Sequence, residues 1–267
     1  MKIAIIGAGS VGTNLHHAFA LKGLHTELIH ARPLTAPLSP CYNDQMVNAQ
    51  MVNAFDLYIY TVADNALREV IATIHAPKAL HVHTSGSMPI EVFGNDKPHA
   101  AVMYFFQSFS REILIDNWSN IPCFIEGKNI DDIAAVYSLA QNLTNRIYEA
   151  NQHDRERLHI AGIFANNYTN LMYRIAEHIL KDTQIPFEAL LPLIDQTAAK
   201  VHSIKPSDAQ TGPAQRGDTE VINHHLSILH SPFSILNSPF TPEALASLYQ
   251  LLAELIAKGQ NHPNPTN

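Results

Sequence analysis

The chain has 267 residues, of which 46% are hydrophobic and 15% are charged, and its formal net charge is −7. This composition supplies a hydrophobic core and excludes an intrinsically disordered protein. The acidic balance argues against a nucleic-acid partner, and the lack of lysine or arginine runs argues against membrane-surface binding. Cys41 and Cys123 are isolated, and no segment has the length of a signal-peptide core or a membrane span. We therefore expect a cytoplasmic protein.

The first part of the chain alternates between strand and helix patterns. In chain order, the patterns predict a strand at 3–6, a helix at 11–21, strands at 26–31 and 57–62, a helix at 67–74, strands at 79–83, 100–105 and 121–125, and a helix at 133–143. This alternation predicts a doubly wound α/β fold with a mostly parallel sheet and helices on both faces. After Ala150 the strand patterns stop, and helical spacing continues over 155–181, 187–201 and 244–256. We predict an α/β domain over 1–150, an all-helical domain over 151–260 and a disordered tail over 261–267.

A glycine-rich turn separates the first strand from the first helix. It matches the pattern G-x-G-x-x-G and consists of Gly7, Ala8, Gly9, Ser10, Val11 and Gly12. The first glycine permits a tight turn, the second lets the backbone approach a pyrophosphate, and the third lets the helix pack close to the strand. Helix N–H groups and the helix dipole then meet the negative charge. The surrounding strand–helix–strand order favours dinucleotide binding over a ligand-free turn.

The end of the second strand predicts which nicotinamide cofactor binds. An acid there would hydrogen-bond the ribose 2′-OH of NAD, but the sequence reads Leu28-Ile29-His30-Ala31-Arg32. A guanidinium holds a 2′-phosphate through two parallel hydrogen bonds, whereas a carboxylate repels it. Arg32, helped by His30, therefore predicts NADP(H). The alternative is a solvent-exposed arginine at the start of a loop.

Two further strand ends are expected to lie beside the cofactor, because ligands of open α/β sheets bind outside the carboxyl ends of the strands. Val62 follows the third strand, and Thr84, Ser85 and Ser87 belong to the segment HTSGS. Small hydroxyl side chains leave room for a nicotinamide ring and can hydrogen-bond a substrate oxygen. We assign Val62, Thr84 and Ser85 to the cofactor, and Ser85 and Ser87 to the substrate. The alternative for HTSGS is a plain turn.

Histidine is abundant, with 16 residues in the chain. His81 and His83 alternate along a predicted strand, which places them on one face at roughly 6–7 Å. A metal would be able to bridge them, but no carboxylate or cysteine lies at matching spacing. Neutral histidines without a metal are therefore favoured over a metal-dependent enzyme.

The long helical segment after residue 155 carries candidates for the chemical step. His159, Asn166 and Asn170 share one stripe of the helix. Asparagine has a poor helix propensity, so this stripe is expected either to face substrate and cofactor or to make contacts between helices or subunits. Hydride transfer needs a proton donor with a suitable pKa, for which His159 is one candidate and Lys200, if buried, is another.

The polar segment QTGPAQRGD, residues 210–218, interrupts the helical half. Its glycines and proline predict a turn with exposed backbone N–H groups, and Arg216 suits a carboxylate or phosphate. We predict that Gln210, Arg216 and His224 bind an anionic substrate in a cleft between the domains. The alternative pairs Arg216 with Asp218 or another acidic residue as a structural tie. An adhesion role for Arg216-Gly217-Asp218 is not expected in a cytoplasmic protein.

Several segments together resemble known families. The N-terminal half resembles the Rossmann domains of pyrroline-5-carboxylate reductase, prephenate dehydrogenase and ketopantoate reductase. The segments that occur in order are HTSGS (83–87), QSFS (107–110), LHIAGIFANNYTN (158–170), PLIDQTAAK (192–200) and QTGPAQRGD (210–218). This series is similar to the Rossmann-like family with a C-terminal domain of unknown function, number 2520. The resemblance implies an NADP(H) oxidoreductase whose helical domain is like that of 6-phosphogluconate dehydrogenase and forms a homodimer.

Two positions depart from what the resemblance implies. The family has Tyr-Pro before the QTFS segment, whereas residues 103–110 of this chain read MYFFQSFS and contain no proline. Related hydroxyacid and ketopantoate enzymes carry K-x-x-x-N, and alignment on Asn166 puts Gly162 in place of the lysine. The leading hypothesis is hydride transfer between NADP(H) and a small anionic metabolite. The missing lysine supports the alternative, a non-catalytic NADP(H)-binding sensor or assembly protein.

Overall fold

The computed structural model describes residues 1–30, 55–181, 183–231 and 239–259. Contacts within the chain divide it into two compact units, Met1–Asn167 and Tyr168–Asn267. The predicted domain boundary at residue 150 stays a prediction, and the predicted disordered tail, residues 261–267, lies outside the described residues. Arg32 and Cys41 lie outside the described residues.

The described part of the first unit contains a seven-stranded sheet. Its strands are β1 (Ile3–Ile6), β2 (Thr26–Ile29), β3 (Leu57–Tyr60), β4 (Leu80–His83), β5 (Ala100–Phe105), β6 (Cys123–Gly127) and β7 (Ile147–Glu149). The spatial order is β2-β1-β3-β4-β5-β6-β7. The pairs from β2 to β5 are parallel, β6 runs antiparallel to β5, and β7 is parallel to β6. The carboxyl ends of β1 to β5 therefore share one edge of the sheet.

Helices cover both faces of this sheet. They are α1 (Ser10–Leu21), α2 (Asp64–Ala72), α3 (Ile130–Ala140) and α4 (Gln152–Gly162), with a 3₁₀ turn at Ile90–Phe93 and a π-helix at Ile163–Tyr168. Alternate residues of β1 point to opposite faces: Ile3 and Ile5 join the core under α1 and α3, whereas Ala4 and Ile6 join the core under α2. Burial on both faces produces the continuous apolar strands of a parallel sheet. The predicted doubly wound fold is confirmed.

Some element bounds differ from the prediction. The helix predicted at 133–143 begins at Ile130, because the side chain of Asn129 accepts a hydrogen bond from the Asp132 N–H at 2.9 Å and so caps the helix. The strand β7 has no predicted counterpart. Its three residues are exposed or half-buried, so they give no apolar alternation.

The described residues of the second unit are helical and contain no strand. The helices are α5 (Thr169–Leu180), α6 (Leu191–Lys200), α7 (Pro206–Ala209), α8 (Pro213–Arg216), α9 (Thr219–His230) and α10 (Pro242–Gly259), with a 3₁₀ turn at Phe187–Leu190. Nowhere in the described part of the chain is a helix both long enough and apolar enough to cross a membrane.

The segment 210–218, which was predicted to be a turn, contains a short helix. Pro213 starts the one-turn helix α8, and Gly217, with a φ of 69°, ends it in the left-handed conformation. The Asp218 side chain then accepts a hydrogen bond from the Val221 N–H at 3.2 Å and caps α9. Proline and glycine therefore mark the two ends of a helical turn here.

Candidate functional site

The glycine-rich turn is closely packed between β1 and α1. Gly7 has a φ of 112°, and its N–H donates to the Ile29 carbonyl at 2.8 Å. The Thr61 hydroxyl donates to the Gly7 carbonyl at 2.7 Å. A Cβ at Gly12 would lie 1.9 Å from the Gly7 carbonyl oxygen, so only glycine allows this approach of helix and strand.

The start of α1 is open to an anion. Gly9 is its N-cap residue and provides no side-chain cap, and no acidic residue lies in the first turn. A Cβ at Gly9 would meet only the Thr61 carbonyl oxygen, at 3.9 Å, and would otherwise point into open space. Ala8, Ser10 and Val11 are half-buried around this opening. Unpaired N–H groups and the positive end of the helix dipole suit the pyrophosphate of a dinucleotide, so these residues fit the expected cofactor.

Other residues assigned to the cofactor lie at the same edge of the sheet. Val62 contacts the turn, because a Cβ at Gly7 would lie 3.0 Å from Val62 Cγ1. His30 directly follows Ile29, whose carbonyl holds Gly7. Arg32, on which the choice of NADP(H) over NAD(H) rests, lies outside the described residues.

The hydroxyl groups of Thr84 and Ser85 are engaged in the turn that follows β4. The Thr84 hydroxyl donates to the Tyr60 carbonyl at 3.2 Å. Ser85 Oγ accepts hydrogen bonds from the N–H groups of Ser87 and Met88, each at 3.1 Å. These contacts are those of a structural turn, which was the alternative interpretation. The assignment of Thr84, Ser85 and Ser87 to ligands stays a prediction.

His81 and His83 are buried within the sheet. His81 Nδ1 accepts from the Tyr60 hydroxyl at 2.8 Å, and Nε2 donates to the Ala76 carbonyl at 2.9 Å. With both nitrogens engaged, His81 has no lone pair left for a metal. Burial lowers the pKa of His81 to about 4 and that of His83 to about 3. Among the described residues, no group of three or more His, Cys, Asp or Glu residues is placed to hold a metal ion.

A tyrosine that the sequence analysis did not select lies at the carboxyl end of β5. The Tyr104 hydroxyl is 3.2 Å from His159 Nδ1. Its ring packs against Gly86, where an added Cβ would lie 2.7 Å from Tyr104 Cζ. Burial raises the pKa of Tyr104 to about 12, and the carboxylate of Asp64 adds to this shift. Tyr104 therefore remains protonated near neutral pH.

One side of α4 faces strands β5 and β6. Arg155 is fully buried and forms an ion pair with Glu126. Its guanidinium also donates to the Ala150 carbonyl at 2.9 Å and to the Met88 carbonyl at 3.1 Å. Arg155 thus joins α4 both to β6 and to the turn that carries Ser85 and Gly86, and it fixes where His159 lies one turn later.

His159 and Asn166 line a common pocket of about 210 Å³ in the first unit. Its lining residues are Tyr104, Phe106, Gln107, Ser108, His159, Gly162, Ile163, Ala165, Asn166 and Asn167. The π-helix contributes several of them, and π-helices are frequent at functional sites. The Phe106 ring leaves no room for a side chain at position 162, since a Cβ on Gly162 would lie 2.7 Å from the ring. A lysine at this position would displace Phe106.

The buried side-chain amide of Asn14 links the glycine-rich turn to the pocket. Asn14, two residues after Gly12, is fully buried. Its Nδ2 donates to the Ser110 carbonyl at 2.6 Å, and its Oδ1 accepts from the Ile115 N–H at 3.0 Å. The connection after β5, which includes the pocket residues Gln107 and Ser108, is thereby attached to α1.

The remaining predicted site residues belong to the second unit. Asn170, Gln210, Arg216 and His224 are exposed, and Lys200 is half-buried at the end of α6. Within the described part of the chain, no ion pair joins Arg216 to Asp218, whose carboxylate caps α9 instead. The roles of these five residues in catalysis or substrate binding stay predictions.

One available signal pointed to Tyr104. It lies at the end of a predicted strand, on the edge where open α/β sheets bind ligands, and the QSFS segment follows it directly. Gly86 and Phe106 carried no comparable signal, because their importance depends on contacts with residues that are distant in sequence.

Comparisons with known proteins agree with this architecture. Residues 121–256 match the family described as domain of unknown function DUF2520. The crystal structure of a "putative NADP oxidoreductase" from Bacteroides fragilis is similar over 96% of this chain and 98% of that chain, with 34% identity and a TM-score of 0.80. A search of curated proteins gives no significant match.

Two more distant structures share the fold. The imine reductase of Myxococcus stipitatus in complex with NADP⁺ has 15% identity and a TM-score of 0.58, covering 97% of this chain and 94% of that one. The pyrroline carboxylate reductase of Plasmodium falciparum with NADP bound has 13% identity and a TM-score of 0.57, covering 96% and 98%. At these identities the likeness concerns the fold alone.

Proposed function

This chain belongs to the DUF2520 family, and from that premise we propose that it is an NADP(H)-dependent oxidoreductase that acts on a small anionic metabolite. The observation that carries the proposal is the turn Gly7–Gly12, which leaves the N-terminus of α1 uncapped and open. The 34% identity to a protein described as a "putative NADP oxidoreductase" supports the same cofactor.

The cofactor supplies or accepts a hydride, and the residues of this chain provide the rest. Gly9 and the first N–H groups of α1 hold the pyrophosphate, and Arg32 and His30 hold the 2′-phosphate. His159 and Asn166, which share the pocket, face the reacting group. Arg216 supplies the positive charge for the anionic end of the substrate, because it is exposed and its guanidinium suits a carboxylate or phosphate.

A non-catalytic NADP(H)-binding sensor is the second candidate function. Gly162 occupies the position of the lysine expected from related enzymes, and the Phe106 ring packs directly against it. A proton donor other than lysine is therefore required if the protein is an enzyme.

Ligand titration and turnover separate these candidates. Fluorescence titration should show tighter binding of NADPH than of NADH, and Arg32→Ala should remove the preference by weakening NADPH alone. Equal binding of both nucleotides to the unaltered protein would refute the role of Arg32. Oxidation of NADPH in the presence of a metabolite library identifies an enzyme, whereas tight NADPH binding without turnover of any compound supports the sensor.

We also propose that the second unit forms a homodimer. Among its described apolar residues only Ala214 and Ala246 are buried, whereas Leu193, Leu251 and Leu255 are 65%, 54% and 56% exposed. Exposed apolar area of this kind favours a partner surface. A second copy of the chain presents the same apolar residues and is the partner that we propose.

A further inference from the structure

We infer that Tyr104 is the proton donor of the reaction, and that His159 acts through it by returning a proton to its hydroxyl. This inference rests on the proposed oxidoreductase function. It assigns the acid that the missing lysine leaves open, and it moves His159 from direct proton donor to a positioning residue.

Packing on several sides fixes the Tyr104 hydroxyl. The residue lies at the carboxyl end of β5, and its ring packs against Gly86. The Phe106 ring meets the Tyr104 ring edge-on, with 6.1 Å between the ring centroids. The hydroxyl is 3.2 Å from His159 Nδ1, and both side chains line the same pocket. Tyr104 therefore places its hydroxyl beside the His159 imidazole and lines a space of about 210 Å³ that can receive a substrate group.

Burial and a nearby carboxylate keep the Tyr104 hydroxyl protonated. Burial is the main cause of its raised pKa, and Asp64, from the first turn of α2, acts in the same direction. On the same side of α4, Arg155 forms an ion pair with Glu126. A neutral phenol can donate a hydrogen bond to a carbonyl oxygen or imine nitrogen and polarise it before the proton moves.

Tyr104, His159 and water can supply the proton that the reduction requires. In the reductive direction, bound NADPH would supply a hydride to the carbonyl or imine carbon. The Tyr104 O–H bond breaks, and its proton passes to the substrate oxygen or nitrogen. The protonated His159 returns a proton from Nδ1 to the phenolate oxygen, and the half-buried imidazole is reprotonated from water. Oxidation runs through the same transfers in reverse, and a lysine at position 162 is not needed.

The first test measures the contact without any turnover. The nitrogen shifts of His159 are followed by ¹H–¹⁵N NMR in the full-length protein, with His159→Gln identifying its signals. Tyr104→Phe should shift the Nδ1 signal, because the hydrogen bond is lost. The matched control is Tyr148→Phe, which removes a hydroxyl from an exposed tyrosine on β7. An Nδ1 signal that is unchanged by Tyr104→Phe would overturn the inference.

The second test measures turnover with chosen probes. NADPH oxidation is followed with a panel of small aldehydes, 2-oxo acids and cyclic imines. Tyr104→Phe should lower kcat by about 100-fold or more while leaving the Kd for NADPH unchanged, because only proton transfer is lost. Tyr148→Phe should retain wild-type turnover. In His159→Ala, free imidazole in the buffer should restore part of the lost kcat, a rescue that a purely structural role does not give.

The outcomes distinguish the two levels of the proposal. Wild-type turnover that persists undiminished in Tyr104→Phe would overturn the Tyr104 assignment and leave the oxidoreductase function intact. A wild-type protein that binds NADPH but oxidises it with no probe in the panel would count against the oxidoreductase function, and the proton relay would fall with it.

Discussion

Two glycines of the same turn are expected to respond differently to alanine. Gly12→Ala places a Cβ 1.9 Å from the Gly7 carbonyl oxygen, where an ordinary contact begins at 3.4 Å. The obstacle is backbone, so α1 has to move away from β1 to make room. Such overpacking costs about 3 kcal/mol in the free energy of unfolding, at the upper end of the usual range. NADPH binding should fall as well, since the turn loses its shape.

Gly9→Ala should affect binding without affecting the fold. The new Cβ meets no protein atom closer than 3.9 Å, and the φ of −76° suits alanine. The free energy of unfolding should therefore change by less than about 1 kcal/mol. If the pyrophosphate approaches the backbone here, the Cβ overlaps it, and NADPH affinity should fall at least about tenfold, or 1.4 kcal/mol.

Urea unfolding and fluorescence titration on both variants measure the two effects. Gly12→Ala should lose stability and affinity together, and Gly9→Ala should lose affinity alone. If Gly9→Ala binds NADPH as tightly as the wild type, the phosphates do not lie against the start of α1, and the placement of the cofactor is refuted.

Three further predictions follow from buried or exposed side chains. Burial lowers the pKa of His81 from 6.5 to about 4, so the neutral side chain contributes about 3 kcal/mol to the free energy of unfolding above pH 6.5, and this contribution is lost as the pH falls toward 4. In urea unfolding, His81→Leu should lose less stability than the wild type between pH 6.5 and pH 4. An equal loss in the two proteins would contradict the lowered pKa of His81. Arg155→Met should cost about 3–5 kcal/mol in thermal or urea unfolding, because Glu126 is left without its buried partner, whereas the exposed Arg157→Met should cost under about 0.5 kcal/mol. Leu251→Glu should convert the proposed homodimer to a monomer in light scattering with unchanged helix content, and a mutant that stays dimeric would place the interface elsewhere.

The fold was predictable where the signal is local. Continuous apolar strands, the helical spacing of α1 and the spacing of Gly7, Gly9 and Gly12 depend on neighbouring residues, so the α/β arrangement and the dinucleotide turn follow from the sequence. The strand β7 was missed because its residues are not alternately buried. The one-turn helix α8 was missed because four residues are too few to show a helical period.

The site was predictable only in part, because its contacts are long-range. His159 and Asn166 were selected from their spacing on one helix, and they share a pocket. Tyr104 is 55 residues from His159 in the chain, and only the packing of α4 on β5 brings the two together. The absence of a lysine at Gly162 was visible in the sequence, but its steric cause, the Phe106 ring, required the structure.

Through its hydrogen bonds, Asn14 connects the dinucleotide turn to the chain segment that forms one wall of the pocket. A single amide near the start of α1 fixes both the Ser110 carbonyl and the Ile115 N–H. If a bound anion tightens the first turns of α1, the connection after β5, which includes Gln107 and Ser108, should be restrained through the same side chain. We expect the Ile115 amide proton to exchange more slowly with solvent once NADPH is bound. The connection after β5 would then fluctuate less with the coenzyme bound than without it.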